Sequence, residues 1–148
     1  MGSEGHYDDV LNKGNLKATK HRVSILKELE NNESPITAED LYIKLKEKGI
    51  YISLSTVYRC LETLHEKDIV IKSNLPDYNK AMYEYNHNEH RHHMICVKCH
   101  KMLPVTGCPL EEYEKHIESK FGFKVKGHNL EVYGYCDNCE HKESDKNN

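Results

Sequence analysis

Ser53-Leu54-Ser55-Thr56-Val57-Tyr58-Arg59-Cys60-Leu61-Glu62-Thr63-Leu64, followed by Ile69-Val70-Ile71-Lys72, decides the fold of the first half of this 148-residue chain. Ser53 or Ser55 is placed to cap a helix whose apolar residues, Val57, Leu61 and Leu64, share one face and which closes near Lys67-Asp68. The β-branched run after it reads as a strand, with Ala81-Met82-Tyr83-Glu84-Tyr85 as its partner across a turn at Pro76-Asp77. Upstream, Val23, Ile25, Leu26 and Leu29 mark a helix that starts just after Thr19, and Asn31-Asn32-Glu33-Ser34-Pro35 ends it. Thr37 then caps a second helix, with Glu39 and Asp40 in its first turn and Leu41, Tyr42 and Leu45 on its apolar face up to Gly49. Helices followed by a two-stranded hairpin are the parts of a winged helix-turn-helix.

In that arrangement the third helix of the pattern enters the major groove. Its outward residues Ser55, Thr56, Tyr58 and Arg59 combine hydroxyls, an aromatic ring and a guanidinium, which suit phosphates, thymine methyls and guanine edges. On spacing alone, an ordinary three-helix packing unit with solvated polar faces accounts for the pattern equally well.

The second half is marked by Cys96-Val97-Lys98-Cys99 and Cys136-Asp137-Asn138-Cys139. A Cys-x-x-Cys knuckle turns both sulfurs to one side, and two knuckles complete the tetrahedron of a structural Zn²⁺ with no position left for water. Such a site contributes about 10–16 kcal/mol of apparent binding free energy, more than the net stability of a small domain. Disulfides or idle thiols are the competing readings, and nothing else in the chain suggests an oxidising compartment.

Composition narrows the classes. No segment has the apolar length of a membrane span, and the start, Met1-Gly2-Ser3-Glu4, lacks a charged region followed by an apolar run, so a cytoplasmic location is expected; Gly2-Ser3 reads as a cloning scar. A net charge of −3 gives no global basic excess, so any DNA contact depends on local placement of Lys and Arg. Near Ser73 to Asn79 the chain changes character: most histidines and every cysteine except Cys60 follow it. The expected organisation is α+β, with a winged helix over residues 1–73, a hinge over 74–80 and a small α/β domain over 81–148. Within the latter, 92–96, 101–105 and 123–133 carry strand-like alternation, 111–121 is helical behind Pro109, and the tail from Glu140 is polar enough to fray. Along an extended segment His90 and His92 share one face, and Arg91 and His93 the other.

Several motifs in order resemble the ferric uptake regulator family: Leu16-Lys17-Ala18-Thr19-Lys20-His21-Arg22, Thr37-Ala38-Glu39-Asp40-Leu41-Tyr42, Ser55 through Leu61, the His-rich run before Cys96, and Gly127-His128 through Cys136. The resemblance implies a homodimeric, metal-activated repressor that binds double-stranded DNA at an AT-rich palindrome, with no membrane and no small organic substrate. It implies that Tyr58 and Arg59 face the operator and that Lys17 reaches the minor groove, and it brings Arg22 into the DNA-binding set. It also supplies Glu111 and His128 as partners of His90 and His92 in a regulatory site for Zn²⁺, Fe²⁺ or Mn²⁺.

The other strand face departs from the family. The hinge site of iron- and peroxide-sensing members corresponds here to Pro35, Glu84, Arg91 and His93, so half of the donors are missing. An acid that peroxide sensing requires is replaced by Pro104, and a Cys common in zinc sensors is replaced by Asn86. His87 with Glu84, His93 and Asp77 is a substitute hinge set, removed from consideration if His87→Ala with His93→Ala leaves zinc stoichiometry unchanged. Gly107-Cys108-Pro109-Leu110-Glu111 is similar to a turn in zinc-uptake regulators, which leans toward zinc; an iron-sensing repressor is the alternative. Cys108 and Cys60 are otherwise read as small packing residues. A zinc-dependent hydrolase is the reading from another class, opposed by a filled tetrahedron and by the lack of a nucleophile motif.

Overall fold

The computed structural model describes residues 4–75 and 78–144. It divides into two compact units, the first ending at Asn88 and the second beginning at Glu89.

The first unit comprises α1 (Glu4–Lys13), α2 (Lys20–Asn31), α3 (Ala38–Glu47), α4 (Leu54–Glu66), β1 (Val70–Asn74) and β2 (Ala81–Tyr85). Three of the helices begin where a hydroxyl was expected to cap them. Thr19 accepts from Arg22 N at 3.2 Å, Thr37 from Asp40 N at 3.1 Å and Ser53 from Thr56 N at 3.2 Å. Each cap satisfies a backbone donor the helix leaves unpaired and is worth about 1 kcal/mol. Behind the caps, Ile25, Leu26 and Leu29 of α2, Leu41 and Leu45 of α3, and Val57, Leu61 and Leu64 of α4 are buried together. At roughly 1.5–3 kcal/mol for each buried aliphatic side chain, this core is the main favourable contribution to the stability of the first unit.

α1 was not expected. Tyr7 and Leu11 of that helix are buried in the same core, with Val10 packed against it. β1 and β2 pair antiparallel from Val70 opposite Tyr85 to Asn74 opposite Ala81. Ile36, between α2 and α3, exchanges backbone hydrogen bonds with Tyr83 at 2.9 and 2.7 Å and so ties the helices to the hairpin. The expected turn at Pro76-Asp77 lies outside the described residues. The expected division put 81–85 beyond a hinge; its ladder with β1 keeps that strand in the first unit.

The second unit comprises β3 (His92–Cys96), β4 (Met102–Val105), α5 (Glu111–Phe121), β5 (Glu131–Gly134) and α6 (Asp137–Ser144). β3 is central, antiparallel to β4 and parallel to β5. Its apolar interior is slight, with Ile95 and Met102 the buried aliphatic side chains among its described residues. Only the end of 123–133 is a strand. A strand needs a ladder partner, and β5 pairs four residues against β3, from His93 opposite Glu131 to Cys96 opposite Gly134. The tail also differs from expectation, being helical to Ser144, because Cys136 O accepts from both Cys139 N and Glu140 N and starts α6.

Candidate metal centres and nucleic-acid face

The four expected structural cysteines come together in the second unit. Cys96 closes β3, and His100 N donates to its carbonyl at 2.9 Å, which folds the first knuckle. The parallel register sets Gly134 beside Cys96, and Val97 N donates to Gly134 O, which delivers Cys136 two residues later to the same place. All six cysteines are free, and the Sγ atoms of Cys96, Cys99, Cys136 and Cys139 lie within 4.8 Å of one another. Cys99 and Cys136 are 3.7 Å apart between sulfurs. Two sulfurs on a tetrahedral zinc with bonds of about 2.3 Å are separated by roughly 3.8 Å, so the donors fit that ion. The Cys99 backbone N–H, with others nearby, draws the Cys96 thiol down to about 5, whereas burial and the neighbouring thiols push Cys139 up to about 12. Without a cation, the first thiolate formed opposes the others.

The second group departs from expectation in one ligand. His90, His92 and His128 converge as expected, and the fourth donor is Cys108 Sγ; these four lie within 4.8 Å of one another. His128 Nε2 is 2.7 Å from His90 Nε2, 3.1 Å from His92 Nε2 and 3.3 Å from Cys108 Sγ. Cys108 Sγ is 3.4 Å from His92 Nε2. Donors on a tetrahedral zinc sit roughly 3.3–3.5 Å apart, so the spacing approaches that of a four-coordinate site.

The ring of His128 is oriented by Glu114, whose carboxylate contacts Nδ1. An acceptor there places the N–H on Nδ1 and leaves Nε2 as a lone pair facing three other donor atoms, an arrangement that a cation satisfies. Burial, followed by the neighbouring His90 and His128, lowers the pKa of His92 and so favours the neutral imidazole, the form that ligates.

Glu111, expected as the fourth ligand, is the exposed first residue of α5. It borders the same cleft of about 310 Å³ as His90, Cys108, Glu114 and His128, but it is not part of the convergent group. The reason lies in the turn before α5. Gly107 has φ +80, a conformation that costs glycine little, and the turn it permits brings Cys108 back toward β3. Glu114, also missed from sequence, sits one helical turn beyond Glu111.

Glu84 and His87 belong to the first unit and His93 to the second. Glu84 is buried on β2, and the His87 ring packs edge-on against Tyr85 at 4.9 Å between centroids. Asp77, the remaining member of that set, lies outside the described residues.

All six residues expected to meet DNA lie in the first unit. Ser55, Tyr58 and Arg59 are exposed on α4, and Thr56 is half-buried beside them. Ser53 Oγ engages Ser55 Oγ at 3.2 Å and Thr56 Oγ1 at 2.8 Å, so the cap also orients the two hydroxyls at the start of the helix. Arg59 reaches Thr56 Oγ1 at 3.5 Å, and Arg22 donates to the carbonyl of exposed Lys17 at 2.9 Å. Sequence reasoning missed the partner of Tyr58. Its hydroxyl donates to Glu39 of α3, which raises the tyrosine pKa to about 12 and lowers that of Glu39.

No helix among the described residues is long and apolar enough to cross a membrane. The chain is 38% identical over 147 residues to the ferric uptake regulation protein of Haemophilus influenzae, covering 99% of this chain and 98% of that one. The crystal structure of the Vibrio cholerae ferric uptake regulator superposes with a TM-score of 0.75 at 31% identity, covering 87% of this chain and 98% of the other. The ferric uptake regulator from Pseudomonas aeruginosa with manganese superposes with a TM-score of 0.74 at 30% identity, covering 88% and 98%. These relatives are named for iron uptake, and the likeness does not single out a zinc-uptake branch. Residues 13–133 match the ferric uptake regulator family, and the chain therefore belongs to that family of transcription regulators rather than to an enzyme class.

Proposed function

We propose that this protein is a metal-responsive repressor of metal-uptake genes whose effector is zinc. The observation that carries the reading is the convergence of His90, His92, Cys108 and His128 at near-tetrahedral spacing. A closed four-donor site suits Zn²⁺, whereas Mn²⁺ generally favours higher coordination and oxygen donors. The four-cysteine group would hold a second zinc as a structural element.

The first unit, with its capped α4 and the β1–β2 hairpin, is the operator-binding part in this reading. Tyr58 and Arg59 contact bases, Ser55 and Thr56 contact phosphates or base edges, and Lys17 and Arg22 anchor the backbone or minor groove. The second unit is the dimerisation part. α5 has no buried residue, and Tyr113, Phe121, Phe123, Val132, Tyr133 and Tyr135 are exposed there, an apolar excess that a second copy of the chain would cover. A two-fold dimer reads two half-sites, so an AT-rich palindrome is the expected operator.

Ligand placement suggests how metal and DNA are linked. His90 lies just after the junction of the two units, Cys108 before α5 and His128 before β5. A bound metal would cross-link those segments and order the chain where it leaves the first unit. An effector that prefers the DNA-competent state about a hundredfold contributes roughly 2.7 kcal/mol toward it.

The test uses protein that retains zinc in the four-cysteine group. Zn²⁺, Fe²⁺ and Mn²⁺ are titrated anaerobically under metal buffering while anisotropy follows binding to an AT-rich palindrome. Zinc should activate at free concentrations far below those at which iron acts. Activation by iron, with zinc acting only in excess, would make this an iron regulator.

A further inference from the structure

We infer that the sulfur of Cys108 is the fourth ligand of the regulatory metal, that Glu111 is not a ligand, and that Glu114 is the positioning residue for His128. The inference rests on the reading of this group as the regulatory site and goes further by naming a His₃Cys donor set. It stands on the convergence of the four donor atoms, the turn at Gly107 that directs Cys108 inward, and the Glu114 contact at His128 Nδ1.

A cysteine here changes what the site discriminates. Thiolate is a soft donor that favours Zn²⁺ over Mn²⁺ and Fe²⁺, whereas carboxylate is a hard donor that admits them. Exchanging Glu111 for Cys108 therefore makes the fourth ligand a source of selectivity within an otherwise imidazole site. It also brings a negative charge to balance the dication where three neutral imidazoles bring none. Glu114 acts from outside, fixing the tautomer and tilt of His128; removing such a partner costs on the order of 10–100-fold in metal affinity.

The experiment again starts from full-length protein with zinc in the four-cysteine group, and the probe is Co²⁺. Filling the second group should give the visible bands of tetrahedral cobalt together with a sulfur-to-cobalt charge-transfer band in the near ultraviolet. Cys108→Ser should lose the charge-transfer band and bind cobalt more than about a hundredfold more weakly, a larger loss than an outer partner produces. Glu111→Gln should keep both the spectrum and the affinity. Glu114→Gln should keep the sulfur band with weaker binding. A charge-transfer band that survives in Cys108→Ser, or a tetrahedral spectrum lost in Glu111→Gln, would overturn the assignment.

A second readout needs no variant. In the wild-type chain, zinc at the second group should protect Cys108 from iodoacetamide, as read by peptide mass mapping, and equal alkylation with and without zinc would also overturn it. If the cobalt results come out as expected while DNA affinity ignores the metal, the ligand assignment stands and the effector reading falls.

Discussion

The two units of this molecule are stabilised by different means. The first buries aliphatic and aromatic side chains from four helices and a hairpin into one cluster, with α1 closing one side through Tyr7 and Leu11. The second has a four-residue β5 exposed along its length, a helix α5 with nothing buried, and two groups of four convergent metal donors. Apolar burial is distributed, so removing one contact leaves most of it intact. Coordination is concentrated, so removing one ligand removes much of the whole.

The contrast breaks most visibly at the cysteines. Stripping the metal with a strong chelator, or making Cys136→Ser, should abolish hydrogen-exchange protection across β3 to α6 while α2 to α4 stay protected, because structural zinc supplies about 10–16 kcal/mol in such domains. Equal loss in both units would show that the first depends on the second.

The opposite perturbation is smaller. Leu61→Ala opens a cavity in the helical core and should cost about 2–5 kcal/mol in denaturant unfolding of the first unit. Zinc content, read by elemental analysis of the folded variant, should not change.

On the DNA face, Arg59→Ala should weaken operator binding by about 1–3 kcal/mol in anisotropy titrations and relax discrimination at one base pair, if Arg59 reads a guanine. Metal affinity should be unaltered, which separates the reading of DNA from the sensing of metal.

The smallest effect lies on the hairpin. Glu62 accepts hydrogen bonds from Lys72 Nζ and Tyr83 Oη at 2.8 Å each, the Lys72 bond first among the causes that hold its carboxyl below the ordinary value. A lowered folded pKa contributes stability above the ordinary carboxylate range, and that contribution is lost as pH falls through the lowered value. Because the pair is partly solvated, Glu62→Gln should cost a few tenths of a kcal/mol to about 1 at neutral pH. In urea titrations the difference from wild type should shrink toward zero in acid. A difference that grew in acid would reverse the assignment.

The same division governs how much could be read from the chain. Thr19, Thr37 and Ser53 were legible as caps because a hydroxyl before an apolar helical run acts locally. The four knuckle cysteines were legible for the same reason, since each pair is set by a turn four residues long. α1 is not legible in the sequence, although Tyr7, Val10 and Leu11 have the spacing of a helical face, because a single short apolar patch carries no sign of what will cover it. The sequence does not distinguish Cys108 from a packing residue, because its placement depends on a left-handed glycine and on strands distant in sequence. Glu114 was missed because an outer partner has no spacing rule of its own. The cysteine pairs and the histidines were visible through motif and resemblance, and what the Gly107 turn and the first turns of α5 bring to them was not.

The parallel pairing of β3 with β5 bears on the order in which the second unit assembles. Cys96 and Cys99 meet through a hairpin-like turn, whereas Cys136 and Cys139 arrive only after a chain of more than thirty residues returns to β3. Closing a loop of that length has an entropic cost, and an exposed four-residue strand offers little to offset it. An ion bound first by the nearer knuckle would wait for β5, and completing the tetrahedron would then select the register. Slippage by one residue would carry Cys136 about 3.3 Å out of position. A zinc held by both knuckles would thus proofread strand alignment during folding.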